Sequence, residues 1–189
     1  MKPDASPDHV SSFAPVENPQ ARALILGSMP GVASLTAGRY YAHPRNAFWR
    51  LMGDIAGARP DLPYEQRLAC LRAHGLALWD VLASCHRPGS LDADIDPASV
   101  VANDFAGFLA RHPQIRLIAF NGAIAEQSFR RHVLPGLSAG VRGRLTLTRL
   151  PSTSPAHAGM SYERKLAAWR EVLDGVLGES AAGAPFRRP

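Results

Sequence analysis

Two stretches of this 189-residue sequence combine residue types that could do chemistry, and they lie far apart in the chain. The first begins with GSMPG at residues 27–31 and continues to YYAHPRNAFW at residues 40–49. The second is PSTSPAHAGMS at residues 151–161. Glycine-rich backbone, hydroxyls and amide side chains suit hydrogen bonding to a polar ligand, and aromatic rings suit stacking. The first stretch contains no acid, which any mechanism has to accommodate.

Several common chemistries have no sequence support. The chain lacks a G-x-x-x-x-G-K-[ST] phosphate loop and a G-x-S-x-G nucleophile elbow, and nothing pairs Ser28, Ser152 or Ser154 with a base. Two cysteines are too few for a disulfide framework, and the histidines lack metal-ligand spacing. We therefore expect a cytoplasmic protein without a metal or another cofactor.

The charge is basic and carried almost wholly by arginine. The formal net charge is +5, the pI is about 9.8, and Lys2 and Lys165 are the only lysines. One interpretation is an electrostatic surface for phosphates, and the other is a general compositional preference for arginine. Charge alone does not choose between them.

Hydrophobic periodicity predicts alternating strands and helices. Short apolar runs predict strands at 22–28, 76–82, 115–120 and 144–150, and helical spacing predicts helices at 46–57, 63–75, 96–112, 122–133 and 161–177. Such alternation indicates an α/β fold, with a central, mostly parallel four-stranded sheet between two helical layers.

The chain length fits one domain, for which we predict the bounds 21–178. Residues 1–20 are predicted to be a flexible lead-in and residues 179–189 a flexible tail. No apolar run approaches the roughly 20 residues of a membrane helix. We expect a monomer that does not contact a membrane.

The predicted strands end in three unusual loops. They are GSMPG after the first strand, Asn121-Gly122 after the third, and PSTSPAHAGMS after the fourth. Ligands of such sheets bind beyond the carboxyl ends of the strands. The fold is therefore expected to bring these loops together at one edge.

The same loops resemble the motifs of the uracil-DNA glycosylase superfamily, which has a glycine-x-x-proline loop after its first strand and a Pro-Ser loop after its last. The resemblance covers roughly residues 23–177. GSMPGVASLTAGRYYAHPRNAFW, LWDVLASCHRPGSLDADI and LPSTSPAHA look most like the hypoxanthine-DNA (deoxyinosine) glycosylase branch. The mismatch-specific uracil enzymes share HP-x-N-x-FW, so that feature indicates kinship rather than substrate.

This resemblance implies a monofunctional DNA repair glycosylase. Its partner would be DNA containing a deaminated base, namely hypoxanthine, with xanthine and uracil as the other candidates. The base would be flipped from the helix and its N-glycosidic bond hydrolysed, which leaves an abasic site. Two alternatives stay open: an enzyme specific for uracil, and a non-catalytic nucleic-acid-binding module on the same fold.

The resemblance also assigns expected roles to the first stretch. The residues expected to bind the base are Gly27, Ser28, Met29, Pro30, Gly31, Tyr41 and Asn121. Met29 stands where the best-known uracil enzymes carry an aspartate, so that catalytic residue does not transfer. The family resemblance instead indicates Asn46 as the catalytic residue that holds the attacking water, although Asn46 could also cap the helix that begins there. Tyr41 matches the family's stacking aromatic, although plain packing under the loop is the alternative.

The remaining candidates are less determined by the sequence. Asp80 is a minor candidate for a catalytic base, because a buried aspartate needs a partner. Asn121 either reads a base edge or shapes the turn before Gly122. Leu150 replaces the histidine that begins the family's second motif, and His157 is a possible substitute. The last group is expected to contact DNA or to enter its minor groove as a wedge: Ser152, Thr153, Ser154, His157 and Met160.

Overall fold

The computed structural model describes residues 8–181, with side chains described for residues 8–177. Seven strands occur in this part of the chain. They are β1 (His9–Ser11), β2 (Ala23–Gly27), β3 (Leu76–Asp80), β4 (Leu82–His86), β5 (Val101–Ala102), β6 (Leu117–Asn121) and β7 (Thr146–Leu150).

The central sheet has four parallel strands in the order β3-β2-β6-β7. The register places Gly27 at the end of β2 opposite Asp80 at the end of β3. It also places Asn121 at the end of β6 opposite Leu150 at the end of β7. Because all four strands run the same way, the segments that follow these residues leave the sheet at one edge, as the sequence predicted.

Helices cover both faces of this sheet. They are α1 (Val32–Ala37), α2 (Phe48–Ala56), α3 (Tyr64–Ala73), α4 (Phe105–Arg111), α5 (Ala123–His132), α6 (Ala139–Arg144) and α7 (Tyr162–Ala181), with short 3₁₀ turns at Asp92–Asp94, Pro97–Ser99 and Leu134–Gly136. The predicted three-layer α/β class is confirmed.

Alternation along β2 divides the apolar core into two clusters. Ala23 and Ile25 pack with residues of α2, α3 and α7, whereas Leu24 and Leu26 pack with residues of α4 and α5. Successive side chains of a strand point to opposite faces, so an uninterrupted apolar strand fills both layers. This packing fixes the edge of the sheet from which the candidate loops emerge.

A second, antiparallel sheet of order β1-β4-β5 was not predicted. Its β1 strand and the buried Val16, which bridges to Leu78, lie in the segment that we expected to be a flexible lead-in. That expectation is wrong for the described part, residues 8–20, because backbone pairing and apolar burial hold it. Residues 1–7, and residues 182–189 of the expected tail, lie outside the described residues.

The continuous helix expected at 96–112 is also wrong. The segment instead forms a 3₁₀ turn capped by Asp96, the β5 strand, and α4 capped by Asp104. Two capping residues eight positions apart divide the segment, because each side chain accepts from a backbone N–H and begins its own short helix. Among residues 8–181, no helix is both long and apolar enough to span a membrane.

Candidate active site

A cavity lies at the carboxyl edge of the sheet, between the first loop (residues 27–31) and the last loop (residues 151–161). We call it the loop cavity. Its volume of about 180 Å³ is smaller than the roughly 300–1,000 Å³ of pockets that hold drug-sized ligands, so it suits a single heterocycle. The predicted residues that line it are Gly27, Ser28, Met29, Pro30, Gly31, Tyr41, Asn46, Asp80, Asn121, Ser152, Thr153 and Ser154.

The segment of residues 87–96, which we call the acidic loop, contacts the first loop and holds it in place. No role was expected for its individual residues. Ser28 Oγ donates a 2.6 Å hydrogen bond to Asp92 Oδ2. Ser90 Oγ accepts from the Val32 N–H at 2.8 Å, and the buried Arg87 donates through Nη2 to the Pro30 carbonyl. These contacts fix the loop in place before any ligand binds.

Gly27 is required for space at the floor of the cavity. A Cβ atom at this position would lie 2.6 Å from Asp80 Oδ1 and 3.2 Å from Tyr41 Oη. The first distance is shorter than real contacts, so a larger residue would displace the carboxyl group. The glycine therefore lets Asp80 and Tyr41 approach the end of β2.

Asn46 lies at the mouth of the loop cavity, just before α2. Its Oδ1 accepts a 3.0 Å hydrogen bond from the Phe48 N–H, so it does serve the start of the helix. No described residue accepts a hydrogen bond from Asn46 Nδ2. The next backbone N–H, of Ala47, donates at 3.0 Å to the Thr153 carbonyl, which ties this turn to the last loop. The helix contact thus leaves the amide donors free for a ligand or a water molecule.

Tyr41 has an uncommon backbone and a fixed ring. Its φ of 53° is the one positive value at a non-glycine position among the described residues. Such conformations cost free energy and cluster at functional sites. One ring face stacks on Phe48 with centroids 3.9 Å apart, so only the other face is open to a ligand. Packing holds this ring in place, and its role as a stacking platform stays a prediction.

Asn121 joins the two halves of the site. Its Nδ2 donates to Tyr41 Oη at 3.0 Å and to Thr153 Oγ1 at 2.8 Å, and its Oδ1 accepts from the Thr153 N–H at 2.8 Å. Both amide hydrogens are thereby used within the protein. The remaining acceptor capacity of Oδ1 is what Asn121 offers to a ligand.

The last loop divides into an inner and an outer part. Ser152, Thr153 and Ser154 line the cavity, and Gly122, at φ 100°, allows Ser152 to pass close to the start of α5. His157 is exposed and is not among the lining residues. The structure therefore does not bring its imidazole to the cavity, where a substitute for the absent histidine at Leu150 would be required.

Two carboxyl groups lie at the cavity even though the first loop itself has none. Asp80 is 3 % exposed, and burial, together with the nearby Asp92, raises its pKa to about 8, with Arg87 opposing. Burial also raises the pKa of Asp92. Asp80 is thus mostly un-ionised at neutral pH, which weakens the expectation that it acts as a base there.

A second depression adjoins the loop cavity, and we call it the arginine groove. It has a volume of about 690 Å³ and shares Tyr40, Tyr41, His43 and Asn46 with the cavity. Its cationic lining residues are Arg39, Arg45, Arg50, Arg67 and Lys165, and Met160 lies on the same wall. Arg50 lies 3.6 Å above the ring of Tyr162, and Arg67 lies 5.2 Å from that of Trp49. Aromatic contacts of this kind hold guanidinium groups in place.

Sequence reasoning missed Arg87, Ser90 and Asp92. They lie in LWDVLASCHRPGSLDADI, which contributed to the family resemblance, but no role was expected for any of the three. Their local signal is a basic residue followed by serine and three acids after a strand. Across the described residues, no group of three or more histidine, cysteine or carboxylate side chains is arranged to hold a metal ion.

Comparisons with known proteins identify the family of the chain. A profile described as the Uracil DNA glycosylase superfamily matches residues 14–173. A protein named hypoxanthine DNA glycosylase from Methanosarcina acetivorans is 36 % identical over 162 residues, which cover 85 % of this chain and 96 % of that protein. A protein of the same name from Methanosarcina barkeri is 38 % identical over 111 residues, 58 % of this chain and 69 % of that one.

A solved structure is similar in fold as well. It is the solution NMR structure of a candidate uracil DNA glycosylase from Methanosarcina acetivorans, with a TM-score of 0.72 and 33 % identity, and the match covers 89 % of this chain and 98 % of the other. The profile match spans both motif loops and most of the chain. The chain belongs to the uracil DNA glycosylase superfamily.

Proposed function

We propose that this protein is a DNA glycosylase that removes hypoxanthine, the deaminated form of adenine, from DNA. The observation that carries the proposal is the small loop cavity opening directly into the arginine groove in a chain of this superfamily. The cavity holds one base, and the groove binds the phosphates of the strand from which that base is flipped. The names of the two Methanosarcina relatives support hypoxanthine as the substrate.

The reaction is hydrolysis of the bond between the sugar C1′ and the base nitrogen. The bonding electron pair leaves with the base, the oxygen of water binds C1′, and a proton from water ends on the departing base or in solvent. Positive charge develops on the sugar and negative charge on the base. Dipoles held in advance toward those charges lower the barrier without a strong base.

Asn46 is the residue that we assign to the attacking water. Its Nδ2 donors have no partner among the described residues, and its Oδ1 retains acceptor capacity beside the bond from Phe48. Water held there lies at the junction of cavity and groove, where C1′ of a flipped nucleotide passes. A carboxylate at the position of Met29 is therefore not required. Asn46 positions the attacking water but does not deprotonate it.

The flipped base loses its stacking in the helix, and Tyr41 replaces it. The ring is fixed from behind by Phe48 and by the hydrogen bond between its hydroxyl and Asn121. Aromatic stacking contributes roughly 1–3 kcal/mol per base. A ring that is already ordered gives this stabilisation without a further entropy cost.

The last loop is assigned to DNA outside the cavity. Ser152 and Ser154 provide hydroxyls near the base or its phosphate, and Met160 at the groove wall is the candidate wedge. His157 is exposed, so in this proposal it contacts the backbone or groove of DNA. We further propose a monomeric enzyme, because one chain provides all the described residues that line the cavity and the groove. We also propose a cytoplasmic location, which its two free cysteines support.

A base-release assay tests the function. The protein is incubated with duplexes that contain one deoxyinosine, deoxyuridine or deoxyxanthosine, and abasic sites are then cleaved with alkali. We expect strand breaks with deoxyinosine and unchanged activity in EDTA. Binding of the deoxyinosine duplex without base release would instead identify a binding module, and release only from deoxyuridine would identify a uracil-specific enzyme. Loss of activity in EDTA would refute the metal-free mechanism.

A further inference from the structure

Asp80 has an unusual position for a carboxyl group in a folded protein. It ends a buried strand, lines the loop cavity and is 3 % exposed. Its Oδ2 is buried and has no hydrogen-bond partner among the described residues. A buried polar group without a partner is costly and therefore rare in native structures. An atom of this kind beside a cavity indicates that the ligand supplies the partner.

The charges around Asp80 determine which form of the carboxyl group is present. Asp92 is the neighbouring carboxylate, and Tyr40 and Tyr41 are the nearby phenols. Arg87 is the nearby cation, but its Nη2 and Nε donate to the carbonyls of Pro30 and Gly89, and its Nη1 faces Asp92 Oδ1 at 3.7 Å. Asp80 takes part in none of the ion pairs among the described residues, so its charge is not compensated by a direct contact.

We propose that Asp80 recognises the flipped base as an un-ionised carboxyl group that donates a hydrogen bond to a ring carbonyl. The inference rests on the proposed function and adds the group that reads the base. Hypoxanthine, xanthine and uracil all carry a carbonyl where the parent base carries an amine. An ionised carboxylate has only acceptors and would repel that oxygen, whereas the acid form has the required donor. The elevated pKa of about 8 keeps this donor in place at neutral pH.

A role as hydrogen-bond donor and a role as catalytic base predict opposite changes of the reaction rate with pH. A base works only when ionised, so its rate would rise with pH up to about 8 and then level off. A donor works only when protonated, so its rate is level below about pH 8 and falls above it. The direction of the pH profile therefore separates the two roles.

The test compares the pH dependence of wild type and Asp80→Asn. Single-turnover release of hypoxanthine is measured from pH 6 to 10, and binding is measured on a duplex whose lesion sugar carries a 2′-fluorine, which opposes bond cleavage. For wild type we expect rate and affinity to be about tenfold lower at pH 9 than at pH 7. Asp80→Asn keeps an N–H donor but cannot ionise, so only the part of the fall that ionisation of the substrate causes should remain. Ionisation of the substrate itself affects both proteins alike and cancels in the comparison.

Two further variants complete the design. Asp92→Asn removes the neighbouring negative charge, so the alkaline fall should move to lower pH. Asp61→Asn makes the same chemical change at an exposed position, paired with Arg59, and should leave the profile unchanged. If Asp80→Asn is inactive at every pH, the shift in Asp92→Asn decides the question.

A folded Asp80→Asn protein with the wild-type alkaline fall would overturn the proposal. So would a wild-type rate that rises with pH, or an Asp92→Asn profile that does not move. Failure of the proposed function looks different, because wild type would then release no base at any pH.

Discussion

The loop cavity and the arginine groove share a wall but differ in their electrostatics. The cavity is bordered by Asp80 and Asp92. Neutral amides and hydroxyls form the hydrogen bonds around Asn121, and Ser28 donates to Asp92. Five cationic side chains line the groove, and no carboxylate occurs among its described lining residues. Of the five, Lys165 is buried and donates to the His157 carbonyl. In the proposed function, these two regions divide the recognition of DNA: the groove contacts phosphates and the cavity binds the base.

The different charges of the two regions explain why the first loop needs no acidic residue. A carboxylate at Met29 would lie inside a cavity that already contains two carboxyl groups, one of them with a pKa raised to about 8. Further negative charge there would oppose departure of an anionic base. In the proposed complex, the sugar on which positive charge develops lies toward the groove, where bound phosphates would stabilise that charge. Asn46, on the shared wall, can hold water between the two regions.

The largest expected effect comes from removing Asn46 from the shared wall. Asn46→Ala should lower the single-turnover rate by roughly two to three orders of magnitude, comparable to loss of one preorganised donor. Binding of a lesion duplex should change little, because the amide holds water rather than the DNA backbone. Single-turnover time courses of base release measure this effect, and circular dichroism checks that the variant is folded.

Asn46→Ser is the matched control for the helix contact. A serine hydroxyl can accept from the Phe48 N–H as Oδ1 does now, so this variant keeps the contact at the start of α2 but loses the amide. It should retain more of the stability while being as slow as Asn46→Ala. Near-normal cleavage by folded Asn46→Ala would mean that another group holds the water.

The second expected effect concerns the stability cost of the buried acid. The pKa of Asp80 rises from 3.8 to about 8 on folding, so its contribution is favourable below about pH 4 and is lost as the pH rises to about 8. At pH 7 the raised pKa of Asp80 lowers the free energy of unfolding by a few kcal/mol, at about 1.4 kcal/mol for each pKa unit. Asp80→Asn should therefore gain stability relative to wild type as pH increases from 4 to 8. Denaturant unfolding at several pH values measures this gain, and a constant difference would contradict it.

The sequence predicted the sheet and the site loops because their signals are local. An apolar run such as Ala23–Gly27 followed by glycine and proline indicates a buried strand and a turn wherever it occurs. Because the predicted strands are parallel, the position of Asn121 near the first loop could be predicted without knowing the contacts. Asn46 and Tyr41 came instead from a family resemblance that their spacing supports.

Other parts depend on contacts that no local pattern contains. Ser28 and Asp92 are 64 positions apart, and Arg87 reaches Pro30 across 57. No role was therefore expected for the individual residues of the acidic loop, although it holds the first loop and sets the charge around Asp80. The prediction of a continuous helix at 96–112 was wrong for a related reason, since pairing of Val101 with β4 outweighs the helical pattern.

The third expected effect lies in capture of the base. Tyr41→Ala should weaken binding of a lesion duplex relative to undamaged DNA by roughly 1–3 kcal/mol. Tyr41→Phe keeps the ring on Phe48 and loses only the hydroxyl that accepts from Asn121, so it should lose much less. Fluorescence anisotropy with uncleavable lesion DNA measures both. Equal losses would show that the hydroxyl network, rather than stacking, matters at this position.

The smallest expected effect is on the salt dependence that the arginine groove should produce. If Arg50 and Arg67 contact phosphates, each substitution by alanine should reduce the slope of log affinity against log salt by about 0.9. The loss should be the same for lesion and undamaged DNA, because phosphate contacts carry no base information. Arg142→Ala, on α6 and exposed, changes the net charge equally outside the groove and should leave the slope nearly unchanged. A slope that falls equally in all three variants would assign the effect to net charge and remove the distinction between groove and cavity.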